Sequence, residues 1–194
     1  MSLAEKLGNP RMTTAEFLDW EGDGHPGKQE LVGGRIRSMT PASSFHGMLQ
    51  LRLGSLVDQQ LKKNERVCRG GTEVCVIPKW DPGHNVRVPD ITVTCTPLTP
   101  REKNFPNPIL IVQIMSPSNE SETWESIQAC ATIPSLTEIV VVESESVKVS
   151  IFRKGTDGAW PENAEVIEAG GTVSIATIEA IFSIDELYED AAFT

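Results

Sequence analysis

Two polar residues stand in strands that otherwise read as apolar. Gln113 interrupts "ILIVQIM", seven residues from Ile109 to Met115 that are apolar apart from it. Asp90, in "VRVPDITVTC", directly follows Pro89 and opens an alternation that puts Asp90, Thr92 and Thr94 on one side and Ile91, Val93 and Cys95 on the other. Pro89 has no N–H for a ladder, so the strand must be at an edge or bulged there. An acid fixed at a distorted strand, beside a second strand carrying an amide, suits magnesium, which takes one or two carboxylates plus other oxygen ligands and waters. Each residue also has a plainer reading. Asp90 can cap a turn after the proline, and Gln113 can satisfy a neighbouring backbone group in a filled, inert site.

The remaining candidates are fewer than the composition suggests. In "KQELVGGRIRSM", Lys28, Glu30 and Val32 share one strand face. Glu30 is either a site acid or a solvated hairpin residue. His46, early in a long helix, is either functional or a packing and capping residue. His25, His46 and His84 lack metal-ligand spacing, which speaks against zinc. Cys68, Cys75, Cys95 and Cys130 form no CxxC pair and are expected as small buried hydrophobes rather than disulfides.

Charge narrows the function classes. The 194-residue chain carries a net −10, which argues against broad nonspecific nucleic-acid binding through neutralised phosphates while leaving room for a local basic groove. Between Lys103 and Lys148 there is no Lys, Arg or His, and Glu120, Glu122, Glu125, Glu138, Glu143 and Glu145 all fall there. Basic residues concentrate in the first half. No apolar run reaches the roughly 18 residues of a membrane span. The opening "MSLAEKLGNPRM" lacks the apolar segment of a secretory signal, so the cytoplasm is the expected location.

The elements that must position these residues follow from pattern. "TTAEFLDW" predicts a short helix, with Thr13 and Glu16 at capping-box spacing. Gly33-Gly34 predicts a two-residue hairpin turn. "SSFHGMLQLRLGSLVDQQLKKN" predicts a long helix capped by Ser43 or Ser44, its apolar stripe running through Phe45, Leu49, Leu53, Leu56 and Leu61. Strands are expected at about 66–77, 86–95 and 108–115, a helix at about 120–132, and then the strand "EIVVVES". After it comes a C-terminal β-meander of exposed strands turning at Asp157-Gly158 and Gly170-Gly171, and a last helical turn in "SIDELYED". Residues 1–12 read as a tail. Residues 13–190 read as one α+β domain, a mixed central β-sheet flanked by helices.

In order and spacing, "ELVGGRI", "MTPASSFH", "VPDITV", "IVQIMSPSN" and "IPSLTEIVVVES" resemble the bacterial Uma-two family of restriction endonucleases, over about Thr13 to Asp190. The resemblance implies the restriction-endonuclease-like PD-(D/E)xK fold and Mg²⁺- or Mn²⁺-dependent cleavage of DNA, with a homodimer suited to cutting two strands. It assigns catalytic and metal-binding roles to Glu30, Asp90 and the position of Gln113, where the family has Glu. His46, Lys28 and Glu122 become auxiliary candidates, and the family's helix lysine falls on Ser126. In such a nuclease the carboxylates hold the metal that activates water, and the lysine offsets charge building on the phosphate. Gln113 removes one charge and Ser126 removes the ammonium, so cleavage is expected to be impaired. The alternative is a non-catalytic nuclease-fold protein that binds DNA or a protein partner.

Overall fold

The computed structural model describes residues 11–25, 27–65, 67–189 and 191. Most of the predicted tail, residues 1–10, lies outside them. Arg11 and Met12 are anchored, through Arg11 Nε to Gly33 O and Met12 N to Gly34 O.

Six strands form the central sheet in the order β3-β4-β5-β6-β7-β8. They are β3 (Arg69–Thr72), β4 (Ile91–Thr94), β5 (Pro108–Met115), β6 (Glu138–Glu143), β7 (Lys148–Arg153) and β8 (Glu165–Glu168). All neighbours are antiparallel except β5 and β6, whose parallel pairing requires a crossover. Helix α3 (Glu120–Ala131) supplies it. Helix α2 (Ser44–Lys63) covers the opposite face, started by the Ser43 side chain, which accepts from the His46 N–H.

Side-chain alternation sorts the core into two layers. Leu110, Val112 and Ile114 of β5 pack toward α2 with Ile91, Val93, Leu49 and Leu53. Ile111 and Met115 pack toward α3 with Ile127 and Cys130. The stripe of α2 falls as expected at Leu49, Leu53 and Leu61, but Val57 is buried and Phe45 and Leu56 sit at the margin.

Hairpin β1 (Gln29–Val32) and β2 (Arg35–Ser38) forms a separate two-stranded sheet, bridged through Leu31↔Val86 to the segment that leads into β4. Gly33 and Gly34 both have positive φ, 57° and 79°, as the tight turn requires. Helix α1 (Thr14–Asp19) packs Phe17 against Leu31 and Val86, and its capping box is formed by Thr13 and Glu16.

Several expectations need correction. The long strands foreseen at 66–77 and 86–95 are short. Glu73, at φ 53°, turns the chain out of β3, and Pro89 breaks the ladder between the bridges at Val86 and Arg87 and the start of β4. Of the C-terminal strands expected to be exposed, β8 is, with only Ile167 buried, but the others are not surface strands. Val149 and Ile151 of β7 are buried, and β9 (Thr172–Ile175) with β10 (Ala180–Ser183) forms a hairpin that sends Val173, Ile175 and Phe182 into the α2-side core. Helix α4 (Ile184–Leu187) closes the same layer. Cys68 and Cys95 are disulfide-bonded. They lie one step beyond the Arg69↔Thr94 pair, directly opposed across two strands, a proximity that a separation of 27 residues does not disclose.

Candidate functional site

Asp90 takes up the position where β4 has yet to begin. The β4–β5 register pairs Ile91 with Val112, so the Ile114 N–H has no strand partner, and Asp90 Oδ2 accepts it at 2.7 Å. Oδ1 accepts from Lys28 Nζ at 2.6 Å and lies 3.3 Å from His46 Nε2. The Asp90 backbone carbonyl accepts from Gln50 Nε2 (3.1 Å) and from the Glu73 N–H (3.2 Å). Three elements thus converge on one residue: the strand entering β1, the first turn of α2, and β5.

Burial alone would push the Asp90 carboxyl up. The His46 hydrogen bond, the charges of Lys28 and His46, and the Ile114 N–H together outweigh it and hold Asp90 below the ordinary carboxylate value. Asp90 remains an anion neutralised from within.

This carboxylate lies at the base of a cavity of about 750 Å³. Lys28, His46, Gln113 and Ile114 line it deep in the fold, and Glu73 and Glu145 line its exposed side. Gln113 is 2% exposed, and its amide nitrogen has no hydrogen-bond partner. The alternation puts Asp90 and Gln113 side by side at the ends of adjacent strands, and both line this cavity.

Glu30 occupies different surroundings. It is fully buried and absent from the cavity lining. Its Oε2 accepts from Arg37 at 2.8 Å and lies 3.8 Å from Arg87 Nε. Oε1 accepts from the Val88 N–H and from Ser126 Oγ, both at 3.0 Å. Arg37 continues to Glu125 at 2.6 Å. Desolvation lowers the Arg87 guanidinium below its usual value despite the Glu30 charge, whereas for Arg37 the bonds and charge of Glu30 and Glu125 overcome desolvation and raise it. Glu122 is exposed on α3.

A resident divalent cation does not fit this donor set as arranged. Both Asp90 oxygens and both Glu30 oxygens are already engaged, and Gln113 offers no charge. Among the described residues, no group of three or more His, Cys, Asp or Glu side chains is placed to hold a metal ion.

Some participants escaped the sequence reading. Arg37 was readable: a two-residue turn at Gly33-Gly34 sets Glu30 opposite Arg37 by counting outward. Arg87 showed as a base alternating with valines before Pro89. Nothing local marked Glu73 or Gln50.

Comparisons place the chain among known proteins. It is 28% identical over 186 residues to an uncharacterized protein of Synechocystis sp., covering 95% of each chain. A crystal structure described as a putative nuclease belonging to DUF820, from Anabaena variabilis, superposes with a TM-score of 0.70 at 20% identity, over 92% of this chain and 98% of that one. It establishes the shared nuclease-like fold. No helix among the described residues is long and apolar enough to cross a membrane. The Uma2 family, described as "Putative restriction endonuclease", matches residues 14–184, and the chain belongs to that family.

Proposed function

We propose that this protein is directed at DNA through the cavity around Asp90 and Gln113, and that its cleavage activity is crippled. One observation carries the reading. The Asp90 carboxylate, the acid that the family's chemistry requires free, has both oxygens engaged by this chain's own donors, Lys28, His46 and the Ile114 N–H. Two substitutions point the same way. Gln113 lacks a carboxylate's charge, and Ser126, the position of the helix lysine, is a neutral hydroxyl bonded to Glu30. Among the described residues Lys28 forms the lysine ion pair with Asp90, whose carboxylate offsets its charge. The family's helix lysine, absent at Ser126, would aim a donor at developing charge. Losing one such donor lowers rate by about 10²–10³-fold.

The test is nicking of supercoiled plasmid in Mg²⁺ or Mn²⁺, with Asp90→Ala as control. The expected result is no cleavage above the control. The double change Gln113→Glu with Lys28→Met, which frees one Asp90 oxygen and adds a neighbouring carboxylate, is expected to raise nicking. Strong cleavage by the unaltered protein that disappears in Asp90→Ala would refute the impairment.

A further inference from the structure

We infer that the cavity takes up a phosphate group directly, without a metal, because Lys28 holds the place that a divalent cation would need. This rests on the DNA-directed reading for the larger ligand but not for the phosphate itself. An ammonium has three N–H donors. Lys28 spends one on Asp90, and its side chain, 14% exposed, is part of the cavity lining. Two donors remain. Gln113 adds an amide nitrogen that is buried, unpartnered and on the cavity wall. A buried donor with no acceptor carries a desolvation penalty of about 1–3 kcal/mol that an incoming oxygen removes.

The third contribution is α2. Its N-terminus borders the cavity through Ser43 and His46, and a 20-residue helix presents a positive dipole end there. Lysine charge, amide and helix end face one volume, and all favour an anion's oxygens. A cation would meet an occupied carboxylate. An anionic tetrahedral group would meet groups that want acceptors.

Glu73 and Glu145, on the exposed side of the cavity, limit what arrives. With the base-free stretch from 104 to 147 nearby, the chain offers no long track for neutralising a duplex backbone. The site therefore suits one deeply inserted phosphate, at a strand end or a kinked phosphodiester, rather than many in a row.

The experiment follows fluorescence anisotropy of a short labelled DNA strand, with a 5′-phosphate or a 5′-hydroxyl, in EDTA and in Mg²⁺. Thermal unfolding in inorganic phosphate and Mn²⁺ binding by electron paramagnetic resonance run in parallel. Binding is expected to survive EDTA. Lys28→Met and Gln113→Glu are each expected to weaken it roughly 10- to 100-fold in EDTA. Preference for the 5′-phosphate marks a terminal group, and equal binding marks an internal one; both support direct uptake. Because Lys28→Met could disturb the hairpin, Gln113→Leu, which removes only the amide, serves as the second variant and is expected to weaken binding too. The inference falls if the unaltered protein binds DNA only with Mg²⁺, or binds Mn²⁺ as tightly as the Gln113→Glu, Lys28→Met double variant. If DNA fails to bind under every condition while inorganic phosphate still raises the unfolding temperature in a Lys28-dependent way, the inference stands and the DNA-directed function does not.

Discussion

Asp90 and Glu30 are both buried carboxylates, each accepting one backbone N–H and each facing a cation from the hairpin region. Their settings then diverge. Asp90 is matched by a lysine and a histidine beside an open cavity, whereas Glu30 is matched by two arginines and a serine with protein on every side. An ammonium is a compact charge on a flexible stem with donors to spare for an incoming group. Guanidinium groups hold fixed geometry and lose little entropy when packed. The difference separates an ion pair that faces a cavity from one that holds the hairpin to the sheet.

Substitutions test this division directly. Glu30→Ala strands the buried Arg87, and breaking a buried pair from one side typically costs about 3–5 kcal/mol, measurable by urea unfolding. Asp90→Ala is expected to cost less, about 1–2 kcal/mol, because Lys28 can turn into the cavity and reach water. Equal losses would erase the distinction.

Ser126→Lys tests the closed region from the other direction. It forces a third cation against one carboxylate at a position with no exposure, and about 2–3 kcal/mol of destabilisation is expected. A neutral outcome would mean that the cluster can open.

Acid pH sharpens the comparison further. Asp90 is held below the usual carboxylate value, so its contribution is present above the unfolded value of about 3.9 and is lost as pH falls through the lower folded value. Lys28→Met removes a principal lowering charge. The Asp90 part of the acid loss should then shrink and be complete at a higher pH, read from urea midpoints across about pH 2 to 5. No displacement of that limb would mean that Lys28 does not govern Asp90. The smallest effect is expected for Gln113→Leu, which replaces an unpartnered buried amide with an apolar side chain and should gain up to about 1 kcal/mol.

How much of this was legible follows from how local each signal was. The Asp90–Gln113 pairing was readable because strand alternation and a lone proline are short-range facts, and the hairpin was readable from two glycines. The α2 stripe emerged from helical period. What stayed hidden depended on meetings across the chain: Lys28 with Asp90 is a contact over 62 residues, Ser126 with Glu30 one over 96, and Cys68 with Cys95 depends on a strand register. The burial of the C-terminal strands was hidden for a related reason. Sequences such as "TVSI" and "AIFS" alternate as surface strands do, and only the presence of α2 decides that their apolar side faces inward.

The outer borders of the sheet have a consequence for how the molecule can associate. At one margin, β3 is fastened to its neighbour by a covalent cross-link, and Val74 and Phe105 crowd Gly71. At the other, β8 is bracketed by Glu165 and Glu168, so a second copy approaching that rim brings like charges together. Unpaired backbone at a sheet margin invites foreign strands, and the paired acids of β8 discourage a second copy of this chain from recruiting that margin.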